Sequence, residues 1–427
     1  MEKKILLTTV FVSMFLLLTV TGTRLFNSVE ANFTPLPELP PPIYIRSDGS
    51  VNPSAAPLHR VGDTYTFTGN INNTIEVQRS NIVLDGNGFV LTKPAVNTEG
   101  LMIPIGWLSG VHIVGMNNVI IRNITFDGCI TGVTVENSSS VTISQNRIRE
   151  TSSGIVVLSS FDINIISNNI SLFATAIHFL PSIPQASNPY RIKIEGNQII
   201  GDSDQVPSSP PQPEQYGIWG GFIDSQMIGN NFSRIRGIAL YYSGSNNLIR
   251  GNNFQENYEG IFFLSQNCVN STIYGNNFNH NSENAVIPFI RDPPLNFWDN
   301  GTVGNFWSDY NGTDSNGDGI GDTPYIIETV YYDYDLGKNV TVHEGQDNFP
   351  LMSPLSIDSV TVELPDWTTT PISPTDSQSE PETFPIRLAV VVAVVVAAVV
   401  LVAAVGVGLS AYLKKTQVAT RKRVCDV

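Results

Sequence analysis

The sequence predicts an all-β protein: a right-handed parallel β-helix of about eight or nine turns, followed by one C-terminal transmembrane helix. Three observations carry this. Side chains of one kind return about every 22 residues, the signature of a solenoid. Inside each step apolar positions alternate with polar ones, the period of a strand and not of a helix. Near the end runs an uncharged stretch of Val, Ala, Leu and Gly long enough to cross a bilayer.

Residues 1–31 read as a secretory signal. Lys3 and Lys4 precede an apolar run from Ile5 to Val20, and Val29 and Ala31 supply small residues for the cut. The run is short for a hydrocarbon layer of ~30 Å, which argues against a permanent anchor. Residues 32–80 are expected to form an N-terminal cap with one irregular turn, covering an edge that would otherwise pair with other chains.

Residues 81–290 hold the repeats. One apolar column reads Phe89, Phe126, Ile148, Ile170, Ile199, Phe232, Phe254 and Phe278. Five residues earlier stand Leu84, Ile121, Ile143, Ile165, Ile194, Met227, Ile249 and Ile273. A small-residue column follows: Gly110, Gly132, Gly154, Ala176, Gly217, Gly237, Gly260 and Ala285. Each is succeeded by a β-branched residue, from Val111 and Val133 to Ile238 and Val286. Steps this short cannot bury an apolar face alone and must stack on their neighbours. Two residues before the first column stand Asn87, Asn146, Asn168, Asn197, Asn230, Asn252 and Asn276, with Ile124 as the exception. Stacked amides at one corner donate and accept along the axis, so this ladder is expected to be structural.

Residues 291–355 are expected to cap the C-terminal end, with Trp298, Phe306 and Trp307 plugging the rod. Residues 356–386, rich in Pro, Thr, Ser and acid, read as an extended stalk. Residues 387–413 form the transmembrane helix, and residues 414–427 a tail carrying Lys414, Lys415, Arg421, Lys422 and Arg423. Basic residues stay cytoplasmic, which predicts a single-pass, type I protein of the cell membrane with its bulk extracellular.

The formal net charge is −15 although the tail is basic, so the outer part is more acidic still. Such a surface repels phosphates and excludes nucleic acid as a partner. Three cysteines make no disulfide framework. Cys129 and Cys268 fall several turns apart, beyond the ~7 Å reach of a disulfide, and are expected as buried thiols. Sequons from Asn32 to Asn339 lead one to expect some glycosylation of an exported chain.

The segment SNIVLDGNGFVL, the recurring GNNF turns and the closing GNFWSDYNGTDSNGDGIGDTPY…QDNFPLM resemble the NosD-type β-helix proteins, relatives of the pectate-lyase-like superfamily. The resemblance spans residues 40–355. Members include carbohydrate-binding proteins, sugar hydrolases, lyases and epimerases, and a periplasmic factor associated with copper loading. The resemblance therefore implies the fold and leaves the activity open.

The sharpest local motif is DSNGDGIGD. Asp314, Asn316, Asp318 and Asp322 fall at alternating ligand positions of a calcium loop, Gly319 at its sharp turn, and the carbonyl of Ile320 at position 7. Tyr325 stands where the bidentate acid belongs, which rules out a full EF-hand. The resemblance points to Asp347 as a distant replacement, with Asp333 and Asp335 as rivals. Ca2+ is expected here as a brace for the cap, not as a catalyst.

The register also locates insertions. Extra residues enter between Phe89 and Gly110 and between Ile199 and Gly217, from one corner and about 19 Å apart along the rod. The edge between them carries Asp127, Arg149, Glu150 and Phe173, and the loops bring Glu99, Trp107, Asp202, Asp204 and Glu214. Such a corner suits a polysaccharide groove, with Asp127, Arg149 and Glu150 as catalytic candidates. Enzyme signatures are otherwise missing. Arg191–Lys193 matches a polygalacturonase tripeptide, but the motifs that accompany it are absent. Copper needs gathered imidazoles or thiolates, and only His112 and His178 share a phase, three turns apart. The expected function is non-catalytic binding of a glycan or envelope component. The alternatives are a polysaccharide lyase, hydrolase or epimerase acting in the groove, and copper handling.

Overall fold

The computed structural model describes residues 41–92, 108–180, 188–202, 215–264, 268–287, 296–333 and 338–357. The expected signal, the stalk beyond residue 357, the transmembrane helix and the tail lie outside the described residues. Among the described residues no helix is long and apolar enough to cross a membrane.

The chain coils as a parallel β-helix with three faces. A ten-stranded sheet makes the first face, from Thr64–Phe67 and Ile82–Asp85 to Leu248–Arg250 and Thr272–Tyr274. An eighteen-stranded sheet bends to make the other two. Arg147–Leu158 and Asn169–Leu180 run unbroken through both, whereas other turns split into pairs such as Asn231–Ser233 and Ile238–Tyr242. Between successive turns of all three faces the pairing is parallel, as stacking of short steps requires. At the open N-terminal end, Leu58–Val61 pairs antiparallel with Thr64–Phe67 and presents exposed His59 and Arg60 at the edge.

The column on the first face stands as expected. Leu84, Ile121, Ile143, Ile165, Ile194, Met227, Ile249 and Ile273 pair one above another. All are fully buried, each contributing about 1.5–3 kcal/mol of apolar burial. The other columns need correction at their irregular steps. Phe126 pairs with Leu91, so Leu91 and not Phe89 opens the second-face column. Ile218 pairs with Leu240, so Ala239 and Leu240 replace Gly237 and Ile238. Ile261 pairs with Ala285, so Asn284 and Ala285 replace Ala285 and Val286. The corner after Phe232 spends one residue more than its neighbours, and a constant offset cannot follow it. The small column exists because backbones close in at this corner: a Cβ on Gly154 would lie 2.5 Å from the Ala176 carbonyl oxygen.

The asparagine ladder begins at Asn146, not Asn87, which lies exposed at a turn. Each amide Nδ2 donates to the Oδ1 of the next, at 2.9–3.0 Å, through Asn168, Asn197, Asn230, Asn252 and Asn276 to Asn305. Each Oδ1 also accepts the backbone N–H of the preceding member, as Asn252 does from Asn230 at 2.9 Å. The residue before each member from Asn146 to Asn276 takes φ > 0, filled by Gln145 and Ser167 early and by Gly196, Gly229, Gly251 and Gly275 later. The ladder ends on Asp347, whose Oδ2 accepts from Asn305 N at 2.6 Å and Trp307 Nε1 at 2.9 Å.

Trp298 and Trp307 are buried at the C-terminal end, as expected of a plug. Phe232, Phe254, Phe278, Trp307 and Tyr325 stack face to face with centroids 4.2–5.1 Å apart. Phe306 on the same strand is only half-buried. Cys129 and Cys268 are buried, and neither forms a disulfide.

Candidate functional site

The corner expected to form a groove is occupied by ion pairs between turns. Asp127 and Arg149 are neighbours in register, with Arg149 Nη2 2.5 Å from Asp127 Oδ2. This bond raises the Arg149 guanidinium above its ordinary range and engages Asp127 Oδ2 as its acceptor. Glu150 turns the corner with φ of 53° and is exposed. Phe173, expected on the outer strip, is buried instead. Asp202 is bound to Arg236 at 2.7 Å. Glu99, Trp107, Asp204 and Glu214 lie outside the described residues.

The loop at 314–322 has the hydrogen-bond skeleton its sequence suggests. Asp314 accepts the N–H groups of Gly317, Asp318 and Gly319 at 2.7–3.2 Å, and Gly317 and Gly319 take φ of 75° and 86°. Asp322, however, turns to Ser315, accepting its N–H at 2.8 Å and its hydroxyl at 2.7 Å, which holds its carboxyl below the usual range. Among the described residues no three acidic, His or Cys side chains gather closely enough to hold a metal ion. Asp347 is a correction. Both its oxygens are committed inside the cap, Oδ1 to Phe349 N at 3.0 Å and Oδ2 to the ladder, so it does not serve the loop.

What sequence reading missed is the outside of the third face. Between the inward Ile177 and Phe179, His178 points outward, and Trp219, Tyr241 and Phe262 follow in register on the next three turns. His178 stacks on Trp219 with centroids 4.6 Å apart at 13°. Tyr216 lies 5.0 Å from Trp219 and 5.3 Å from Tyr241, and Tyr241 lies 5.2 Å from Phe262. Five rings thus form one continuous patch over four turns. Trp219 is 37% exposed and the others are half-buried, stacked or tilted against one another yet partly open to solvent. Beside Tyr216 the neighbouring outward column continues through Ile238 to Glu259 and Glu283. The signal was present in the sequence. A two-residue slip after Phe232 aligned Ala239 where Tyr241 belongs and broke the aromatic column.

At the other end of this face His112 Nε2 lies 3.8 Å from Glu136 Oε2. Burial lowers the pKa of both His112 and His178 below the ordinary histidine value. The two share one column, separated by Thr134 and Val156.

The model of the periplasmic copper-binding protein (NosD) family matches residues 58–199 and 185–312. The chain belongs to the NosD family. Solved structures similar to this NosD chain include the DFA-IIIase of Arthrobacter chlorophenolicus A6, at 14% identity over 54% of this chain and 67% of that one, with TM-score 0.31. The mannuronan C-5 epimerase AlgE6 A-module of Azotobacter vinelandii is 12% identical over 56% and 76%, with TM-score 0.29. ORF18 of Geobacillus virus E2 is 12% identical over 69% and 70%, with TM-score 0.36. No curated protein matches the chain.

Proposed function

We propose that this NosD-family chain is a non-catalytic glycan-binding protein displayed outside the membrane, with the aromatic patch of the third face as its binding surface. The observation that carries the reading is the continuous run of His178, Tyr216, Trp219, Tyr241 and Phe262. Flat rings held at one height by strand pairing offer successive sugars an apolar surface, while a polar rim supplies hydrogen bonds. A rigid sheet loses little entropy on binding, so modest contacts per sugar accumulate along a chain. The signal at 1–31 and the helix at 387–413 belong to the same proposal, exporting the rod and holding it at the surface. Calcium at 314–322 would brace the cap, and would require Asp322 to turn from Ser315.

The family description names copper, and the donors here fit it poorly. His112 has the carboxylates of Glu76 and Glu136 near it and, among the described residues, no second imidazole or thiolate, His178 has a tryptophan ring, and three turns at about 4.8 Å each separate them. The test of the glycan reading is binding of oligosaccharides by the full chain in detergent, with Trp219→Ala as control and mass analysis of the sugars afterwards. Binding that the variant loses, with no change in sugar mass, is the expected result. Shortened or unsaturated sugars, or sugars epimerised as read by NMR, would make the protein an enzyme instead.

A further inference from the structure

We infer that Asn300 carries an N-linked glycan, and that the first sugars of this glycan lie in the groove beside it, along the edge where the first face turns into the second. The assignment rests on the export contained in the glycan-binding reading, and not on what the third face binds. The state of each sequon amide singles Asn300 out. Asn123 Nδ2 donates to Asp85 at 3.3 Å, Asn137 Nδ2 to Glu136 at 3.4 Å, Asn231 Nδ2 to Gln198 at 3.0 Å and Asn270 Nδ2 to Asn246 at 2.8 Å. Asn300 is the reverse case. It is exposed, and its Oδ1 accepts the Thr302 N–H at 3.0 Å, the Thr302 hydroxyl at 2.9 Å and the Val303 N–H at 2.9 Å. This Asx turn occupies the oxygen end of the amide and leaves Nδ2 as its free end. Asn72, Asn169 and Asn311 are exposed as well, but none holds such a turn. Thr74 N–H goes to Asn73, the Thr313 hydroxyl goes to Asp322, and Asn169 opens a strand. Glycosylation of Asn300 joins Nδ2 to the anomeric carbon of a sugar delivered on a lipid-linked phosphate. The bond from that carbon to the phosphate oxygen breaks, the phosphate keeps the electron pair, and Nδ2 gives up one proton.

The groove is the second observation. A mainly apolar cavity of about 450 Å3 adjoins Asn300, with Gly229, Gly251 and Gly275 as its floor and Tyr274, Val303 and Leu355 among its walls. The floor is bare for a reason beyond backbone geometry. The same corner position, just before each ladder asparagine, carries Gln145 at φ of 56° and Ser167 at φ of 52° in earlier turns, so side chains are accepted there. Only the later turns are stripped to glycine, and a Cβ on Gly251 would meet nothing closer than 3.9 Å. Tyr274 is half-buried and Leu355 is 41% exposed, which leaves apolar surface open along the trough. Sugar rings, apolar on their faces and polar at their rims, suit such a trough, and the Arg250 guanidinium beside Tyr274 can meet their hydroxyls. A glycan already fixed at the edge of the groove loses little further freedom on entering it.

The full chain, purified from the cells that make it, would be digested and its glycopeptides read by mass spectrometry. Asn300 is expected to carry sugar while Asn123 and Asn231 carry none. Asn300→Gln and Thr302→Ala should each remove the sugar, and Thr302→Ser should keep it. For the groove, hydrogen exchange would follow Leu355, whose N–H donates to Asn277 Oδ1 at 2.9 Å beside the trough. Exchange there should be several-fold slower with the glycan than in Asn300→Gln. Gly251→Gln, which adds the side chain this corner carries at Gln145, should leave the sugar attached and speed the exchange. A bare Asn300 in chains from which residues 1–31 have been removed would overturn the site and spare the export reading. A glycosylated Asn300 with exchange unmoved by either variant would overturn the groove. A bare Asn300 in a chain found inside the cell with residues 1–31 attached would overturn export and site together.

Discussion

The asparagine ladder and the aromatic patch are built the same way, by stacking one side-chain type turn upon turn, and they end in opposite states. In the ladder every amide is buried and its donors and acceptors are consumed by neighbours, as with Asn230, Asn252 and Asn276. On the patch the rings stack or tilt against one another and still keep solvent-facing surface. Repetition alone therefore marks stability. Repetition that leaves binding capacity unspent marks a surface for a partner.

The largest effect should come from breaking the ladder. Asn252→Leu leaves Asn230 N and Nδ2, the Met227 carbonyl and Asn276 Oδ1 without that partner, and is expected to cost about 3–5 kcal/mol in urea unfolding. Trp219→Ala, by contrast, should change stability by less than about 1 kcal/mol while abolishing sugar binding. If both variants unfolded the chain alike, the contrast between ladder and patch would collapse.

Next comes the end of the ladder. Burial pushes the Asp347 carboxyl up to about 6, against the pull of Asn305, Trp307 and Phe349 N–H donors. Its folded value lies above the unfolded one of about 3.9, so folding takes up a proton between the two. The stability this contributes is full below about pH 3.9 and lost as pH rises through about 6, a change on the order of 2–3 kcal/mol. Asp347→Asn should flatten that slope in melting curves from pH 4 to 7. A slope unchanged by the variant would assign the titration to another group.

The smallest expected effect lies at the 314–322 loop. Chelation should lower the melting temperature by a few degrees, and Asp318→Ala should remove the response. Indifference of the unaltered chain to both calcium and chelator would retire calcium from the cap.

Much of the fold was legible because parallel stacking copies side-chain type from turn to turn. The column from Leu84 to Ile273 required only a period. Errors gathered where a turn changed length: Phe89 in place of Leu91, Gly237 in place of Ala239. Asn305 escaped notice because it lies beyond residues 81–290, in the segment read as a cap and not as a repeat. A second corner ladder, with Ser225 N donating to Asn247 Oδ1 and Asn247 N to Ser271 Oγ, was hidden by its mixed residue types. The site was less legible than the fold. Asp127 and Asp202 drew attention as acids, yet each proved to be half of an ion pair, a fact that only geometry supplies. Tyr241 and Trp219 had no role in the sequence reading, and only strand register places them side by side on the outside.

The row of amides also has a direction. From Asn146 onward every side chain gives a hydrogen to the next, and the row stops at a group that, once ionised, has none to pass on. A second rod set end to end against this one would find no giver there, and the carboxylate itself is buried with both oxygens taken. The carboxylate thus works as a full stop: it fixes how many coils the molecule has and discourages copies from growing into filaments.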